Sequence, residues 1–151
     1  MILIDSNALI VLLLGLIDPK LLKTHKTTSI YDEEDFFELL HVIEDFNQII
    51  VLPNIWTEVD NLLNSFGGNY KYQYIQKITE LIKNTSENYI DSITGSQCES
   101  FFDLGLTDSL VLEQAKTSKL LITSDSKLSD YAIAYGIKVY DLVKVKNEKL
   151  K

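Results

Sequence analysis

The chain has 151 residues, a net charge of −8 at pH 7 and 46% hydrophobic residues. This length fits one globular domain, which buries about 70% of the surface that its unfolded chain exposes. The acidic balance and the absence of arginine argue against broad electrostatic binding to nucleic acid, and the single cysteine excludes a disulfide framework and suits a reducing compartment.

The first predicted elements are a short apolar strand and an apolar helix. Ile2–Asp5 predicts the strand and Ser6–Ile17 predicts the helix, with Ser6 as N-cap and Asp18-Pro19 as its stop. A helix that is apolar on nearly every side is typically buried or docks a partner. It is too short to cross a bilayer, and no small-residue cleavage motif of a signal peptide follows it. We therefore expect a cytoplasmic protein without membrane contact.

A basic segment and an amphipathic helix come next. Lys20–Ile30 is mixed and basic, whereas Tyr31–Phe46 repeats apolar residues at helical spacing. Its acidic first turn, Asp32–Asp35, complements the positive end of the helix dipole, and we interpret it in that way rather than as a metal site.

Strand two and two further helices are predicted from residue 48 to residue 83. Gln48–Leu52 is short and β-branched, and Pro53 opens a helix, where its missing N–H costs little. The predicted buried stripe of that helix consists of Ile55, Val59, Leu62, Leu63 and Phe66, before a stop at Gly67-Gly68. The predicted buried face of the next helix, Asn69–Lys83, consists of Tyr72, Ile75, Ile78 and Ile82.

The last third of the chain carries weaker patterns at first and clearer ones later. Between Thr85 and Phe102 we expect a short helix at Glu87–Ile93, a turn at Gly95 and an extended piece near Phe101. The later elements are a helix Asp108–Lys116 capped by Thr107, a strand Lys119–Thr123, a helix Lys127–Tyr135 that stops at Gly136, and a strand Ile137–Tyr140.

Strands that alternate with helices imply parallel pairing through right-handed crossovers. The sequence therefore predicts an α/β fold, a three-layer α/β/α sandwich with a central, mainly parallel sheet. We expect one domain over residues 1–143 and a charged, disordered tail over residues 144–151.

Four carboxylates are expected at one edge of this sheet. Asp5 and Asp125 follow strands, and Glu58 and Asp108 lie near the starts of helices, so all four belong to the edge where parallel sheets hold ligands. Like charges gathered there raise at least one pKa, and a desolvated unpaired carboxylate costs several kcal/mol. Mg²⁺ or Mn²⁺, which prefer oxygen ligands, would offset that cost.

Each of these acids alone also fits a structural role. Asp5 could cap the first helix, although Ser6 is available for that. Asp108 could complement a helix dipole, Glu58 could lie on a solvated face beside Asp60, and Asp125 could occupy a turn. The order and setting of the four carry the interpretation, rather than any one of them.

The motifs around these acids are Ile-Leu-Ile-Asp5-Ser6-Asn7, then Leu-Pro53 with Glu58, then Leu106-Thr107-Asp108 with Ala115, then Ile122-Thr123-Ser124-Asp125. From Ile2 to about Leu142 they resemble those of the PIN-domain nucleases. The resemblance implies a metal-dependent ribonuclease whose catalytic metal ligands for Mg²⁺ or Mn²⁺ are Asp5, Glu58, Asp108 and Asp125. The residues that the resemblance implies as helpers are Asn7 and Thr123, and hydrogen bonds from Asn7 and Ser124 could orient waters at the site.

The resemblance also implies partners. RNA would be the substrate, and the biological role would be that of a toxin held by an antitoxin protein. The surfaces that could serve such a partner or a homodimer are the helices Ala8–Ile17 and Asn69–Lys83, although core burial explains their apolar residues equally well. Candidate side chains for holding RNA are Trp56, Tyr70, Lys71, Tyr74 and Lys77, although a core or partner-facing position explains the aromatic residues more often. Trp56 points away from Glu58 around the helix and is not counted as a site residue. The insertion at Lys20–Phe46 and the missing arginines depart from many family members.

Other chemistries fit the sequence less well. A zinc site is not expected, because His25, His41 and Cys98 show no ligand spacing. A haloacid-dehalogenase-like phosphatase needs a second aspartate two residues after Asp5, where this chain has Asn7. A receiver domain needs adjacent acids near strand one and a lysine at the end of a later strand, and this sequence does not have them. A non-enzymatic scaffold that binds RNA or a protein partner stays open as the alternative.

Overall fold

A computed structural model describes residues 1–64 and 68–151 and places strands and helices in alternation. The strands are β1 (Ile2–Ile4), β2 (Ile49–Val51), β3 (Ser86–Glu87), β4 (Leu120–Thr123) and β5 (Val139–Asp141). The helices are α1 (Ser6–Ile17), α2 (Glu33–Ile43), α3 (Pro53–Asn64), α4 (Lys71–Asn84), α5 (Ser92–Ser96), α6 (Phe101–Ala115), α7 (Ser126–Ala134) and α8 (Leu142–Lys149). Short 3₁₀ helices lie at Pro19–Thr24, Phe46–Gln48 and Gly68–Tyr70.

The five strands form one parallel sheet in the order β3-β2-β1-β4-β5. Ile2 of the central strand pairs with Ile49 on one side and Leu120 on the other. All three residues of β1 are buried, as expected for a strand covered on both faces. The predicted α/β/α sandwich with a parallel sheet is therefore confirmed, and every strand ends at the same edge.

Helix α1 lies in the core. Every residue from Ala8 to Gly15 is buried, so of the two alternatives left open for this helix, core burial holds and a partner surface does not. Gly15 allows the close approach of α2, because a Cβ at this position would lie 2.0 Å from Cδ1 of Phe36. Within residues 1–64 and 68–151, no helix is long and apolar enough to cross a membrane.

Helix α4 turns a different face to the core from the one predicted. Its buried residues are Tyr74, Ile78 and Leu81, whereas Tyr72, Ile75 and Ile82 of the predicted face are exposed. Apolar residues occur at helical spacing on both faces, so periodicity alone does not choose between them.

The hydrogen bonds of α3 help to fix that choice. The Tyr74 hydroxyl donates to Oδ1 of Asp60 on α3 at 2.6 Å. In α3, the predicted stripe is buried at Ile55, Val59 and Leu63. The prediction for Phe66 and Gly67 lies outside the described residues.

The segment from 85 to 102 differs from its prediction. It contains β3 and α5 rather than a helix at Glu87–Ile93, and Phe101 begins α6 rather than an extended piece. Both residues of β3 are polar and exposed, so this edge strand has no apolar alternation to detect. Helix α6 starts before Thr107, and its backbone breaks at Gly105, which has a φ of 81°.

The end of the chain is helical, so the prediction of a disordered tail over residues 144–151 is wrong for most of its length. Helix α8 begins after the N-cap Asp141, whose carboxylate accepts hydrogen bonds from the N–H groups of Val143 and Lys144. Lys146 and Lys149 then form ion pairs with acids of α2. These pairs, rather than apolar burial, hold the helix, which is why hydrophobic periodicity did not reveal it.

Candidate active site

Asp5 is the first acid at the carboxyl edge of the sheet, and it is 4% exposed. Its Oδ1 accepts from the Ser6 N–H at 2.8 Å, and its Oδ2 accepts from the Thr123 hydroxyl at 3.0 Å. Asp5 is therefore the N-cap of α1, and the prediction that Ser6 is the N-cap is wrong. The backbone is still extended at Asp5, so the cap position falls one residue earlier than expected.

Ser6 has another role. Its hydroxyl donates to Oε1 of Glu58 at 2.8 Å and so ties α1 to α3. The nearby Asp60 instead accepts the hydroxyl of Tyr74, away from Asp5. The structure therefore places Glu58, and not Asp60, with the edge acids, a choice that the sequence left open.

Thr123, the fully buried last residue of β4, connects two of the acids. Its hydroxyl donates to Asp5 and accepts from the Asp125 N–H at 3.0 Å. The carboxylate of Asp125 in turn accepts from the Leu128 N–H at 3.0 Å and caps α7. The side chain of Thr123 thus fixes Asp5 relative to the backbone of Asp125.

The pKa of Asp108 shows that the four acids act on one another. Burial, as the largest cause, and the nearby carboxylates of Asp5, Asp125 and Glu58 together raise it to about 7. Burial also raises the pKa of Asp5 to about 6, assisted by Glu58 and Asp125 and opposed by the hydrogen bonds from Ser6 and Thr123. The charges that act on Asp108 are all negative, so a bound cation would be favourable here.

The carboxylates nevertheless do not form a closed metal cage. In the part of the chain that the structure describes, no three His, Cys, Asp or Glu side chains are placed to hold a metal ion as they stand. The available donors are oxygens, which suit Mg²⁺ or Mn²⁺ in their chemistry. Binding an ion would therefore require changes of side-chain rotamer.

Three further residues near this edge of the sheet were not predicted from the sequence. Asp141 ends β5 at the same edge and is 6% exposed, a strand-then-acid pattern like that of Asp5. The buried Tyr31 hydrogen bonds through its hydroxyl to Ser124, and burial raises its pKa. Asn54 lies one helical turn before Glu58, and its buried Nδ2 has no hydrogen-bond partner in the described structure.

The side chains predicted to hold RNA separate into two groups. Trp56 and Tyr74 are buried, so the favoured interpretation of core burial holds for both, and neither ring is available to stack on bases. Tyr70 and Lys71 are exposed, and Lys77 pairs with Glu80 at 3.4 Å. For these residues an RNA contact stays a prediction.

Comparisons with known proteins give no further guidance. No protein-family model, curated protein or solved structure matches the chain.

Proposed function

We propose that the chain is a divalent-metal-dependent endoribonuclease of the PIN-domain type, with Asp5, Glu58, Asp108 and Asp125 as its catalytic metal ligands. The observation that carries the proposal is the electrostatic coupling of these four carboxylates at the edge of a parallel sheet, with no cation among the charges that act on Asp108. The resemblance of the motifs around the four acids supports it. So does the donor chemistry, which consists of carboxylate and hydroxyl oxygens.

The residues of the site have distinct roles in this proposal. A bound Mg²⁺ or Mn²⁺ would lower the pKa of a water molecule and stabilise the negative charge on the phosphate. Asp5 and Asp108 would hold the ion directly, and Glu58 and Asp125 would contribute directly or through water. The Ser6 hydroxyl orients Glu58, and the Thr123 hydroxyl orients Asp5.

Protons would leave the site when the ion binds. Asp108, with a pKa of about 7, is partly protonated at neutral pH and gives up its proton to bind a cation. Water is the nucleophile, so the products carry 5′-phosphate and 3′-hydroxyl ends.

The test is cleavage of a fluorescence-quenched single-stranded RNA in Mn²⁺ by the wild type and by Asp108→Asn. We expect the variant to lose about 10³-fold in rate, and EDTA to stop the wild type. Asp108 suits this test because none of the hydrogen bonds described for the site uses its side chain. Asp130→Asn, an exposed acid on α7, is the matched control and keeps full activity. Equal cleavage by wild type and Asp108→Asn would contradict the proposal.

Metal binding can be measured without activity. At an Mn²⁺ concentration about 100 times the dissociation constant, the free energy of unfolding rises by about 2.7 kcal/mol. This rise appears as a higher melting temperature in the wild type and in Asp130→Asn, and it is lost in Asp108→Asn. A melting temperature that does not respond to Mn²⁺ in any of the three would count against a metal site.

The second candidate is a catalytically silent scaffold of the same fold that binds RNA or a protein partner. It is favoured by the structural hydrogen bonds that three of the four acids make, since Asp5 and Asp125 cap helices and Glu58 accepts from Ser6. RNA binding without cleavage in Mn²⁺ would support it. The role as a toxin with an antitoxin partner rests on the resemblance alone and stays a prediction.

A further inference from the structure

A groove at the β5 edge of the molecule has a composition unlike that of the carboxylate site. We name it the α2–α8 groove. It has a volume of about 790 Å³ and is lined by Glu33, Glu34, Phe37, Glu38, His41, Val42, Tyr140 and Val145. None of the four edge acids lines it, so it is independent of the proposed nuclease site.

The floor of the groove is apolar. Phe37 is 55% exposed, although its ring rests against the buried ring of Phe36 with centroids 5.4 Å apart. Val42, Tyr140 and Val145 are half-buried and supply the rest of the apolar lining. An apolar floor of several side chains with a polar rim is a common feature of contact surfaces.

The rim of the groove is acidic and only partly neutralised. Lys149 lies 2.7 Å from Glu38 and 3.9 Å from Glu34. Lys149 also pairs with Asp35 at 3.1 Å, outside the lining, so its one positive charge is shared among several acids. With Glu33 the rim carries three carboxylates, and a negative charge remains.

This charge decides between the possible occupants. A second copy of the chain would bring one acidic rim against another. Each protomer also carries a net charge of −8, so the two copies would repel each other. The phosphates of a nucleic acid would be repelled for the same reason. A segment with Lys or Arg beside apolar side chains satisfies both the floor and the rim.

We propose that the α2–α8 groove binds a short, cationic, amphipathic segment of a partner protein. The lining residues from Glu33 to Val42 extend along α2 for about 14 Å, which matches two to three turns of a bound helix. Apolar side chains of the segment cover Phe37 and Tyr140. Its cationic side chains pair with Glu33 and Glu34, and an arginine can also stack on an exposed ring.

The probe is a fluorescein-labelled helical peptide of about twelve residues, long enough for the groove, with leucine on one face and arginine on the other. A matched peptide has glutamate in place of each arginine. Binding to the full chain is measured by fluorescence anisotropy. We expect the cationic peptide to bind and the acidic peptide to bind at least about tenfold more weakly.

Three variants test the location of the site. In Glu33→Gln/Glu34→Gln the affinity for the cationic peptide falls about fivefold, because two exposed charges are removed. In Phe37→Ala it falls about tenfold, because the aromatic contact is lost. The control, Glu80→Gln/Glu87→Gln, removes the same charge on α4 and β3 toward the other edge of the sheet and leaves the affinity unchanged.

Several results would overturn the inference. An equal fall in the control pair would mean that the peptide is attracted only by the net charge of the protein. Failure of the cationic peptide to bind would mean that the groove has no such partner. A dimer in sedimentation that dissociates in Phe37→Ala would assign the groove to a second copy.

Discussion

Two clusters of carboxylates in this molecule differ in what surrounds them. The edge cluster consists of Asp5, Glu58, Asp108 and Asp125. The helix cluster, between α2 and α8, consists of Asp32, Glu34, Asp35 and Glu38 with Lys146 and Lys149. Both place several negative charges near one another, yet only the helix cluster contains cations.

The pKa values separate the clusters. In the edge cluster, burial raises the pKa of Asp5 to about 6 and that of Asp108 to about 7. In the helix cluster, a backbone hydrogen bond from Asp35 and the ammonium of Lys146 lower the pKa of Asp32 to about 2. Burial alone would lower the pKa of Lys149, but its bonds to Glu38 and Asp35 raise it. Acids with an internal cation stabilise the fold, and acids without one favour a ligand.

The largest effect on stability is expected from removing the cation of the helix cluster. Lys146 lies 2.7 Å from Asp35, a 5% exposed acid, and 3.1 Å from Asp32. Lys146→Met leaves Asp35 with less compensation and lowers the free energy of unfolding by about 2–3 kcal/mol at pH 7. Urea denaturation measures the change. Because the loss depends on ionised carboxylates, it shrinks as the pH falls below about 4. A loss that persists near pH 2, the pKa of Asp32 in the folded chain, would show that packing of the lysine stem is responsible.

Removing a charge from the edge cluster should have the opposite sign. Asp108→Asn in metal-free buffer raises the free energy of unfolding by about 1–3 kcal/mol at pH 7.5. The native pKa of about 7 lies above the ordinary value of 3.8, so native Asp108 retains its proton over a range in which the unfolded chain has released it. The wild type therefore loses stability as pH rises from about 4 to about 7, and the variant loses less.

Urea denaturation at several pH values checks this second prediction. Below about pH 4 the two proteins should have the same stability, since Asp108 is then neutral in both the folded and the unfolded state. A variant that is less stable than the wild type at pH 7.5 would contradict the contrast between the two clusters.

The smallest effect is expected at an exposed ion pair outside both clusters. Lys144 lies 3.6 Å from Asp130, whose side chain is 74% exposed. Asp130→Asn should change the free energy of unfolding by less than about 0.5 kcal/mol, because water already solvates both charges. A larger change in urea denaturation would mean that surface charge, rather than the local environment of each acid, governs stability here.

The parts of the fold that the sequence revealed are those with a strong apolar pattern. Helix α1 has the predicted bounds Ser6–Ile17, and the central strands lie where β-branched and aliphatic runs placed them. The missed elements are held by polar contacts. Strand β3 is a polar edge, and α8 is fixed by its ion pairs with α2, so neither has a periodic apolar signal.

The site was predictable at the level of strand ends. Asp5 follows β1 directly and Asp125 follows β4 after one intervening residue, so topology alone brings them to one edge. The hydrogen bonds could not be predicted in the same way. That Ser6 binds Glu58 while Asp60 binds Tyr74 depends on the rotation of α3 and α4, which the sequence left undetermined.

The position of α2 depends on one missing side chain. Because Gly15 has only a hydrogen atom where other residues have a Cβ, the ring of Phe36 fits directly against the backbone of α1. Phe37, which lines the groove floor, is the next residue on α2, and Tyr31, which hydrogen bonds to Ser124, lies two residues before α2 begins, so a shift of this helix would displace both. A single methyl group at residue 15 would thus alter both surfaces at once, which makes this buried contact a natural place to look for long-range mutational coupling.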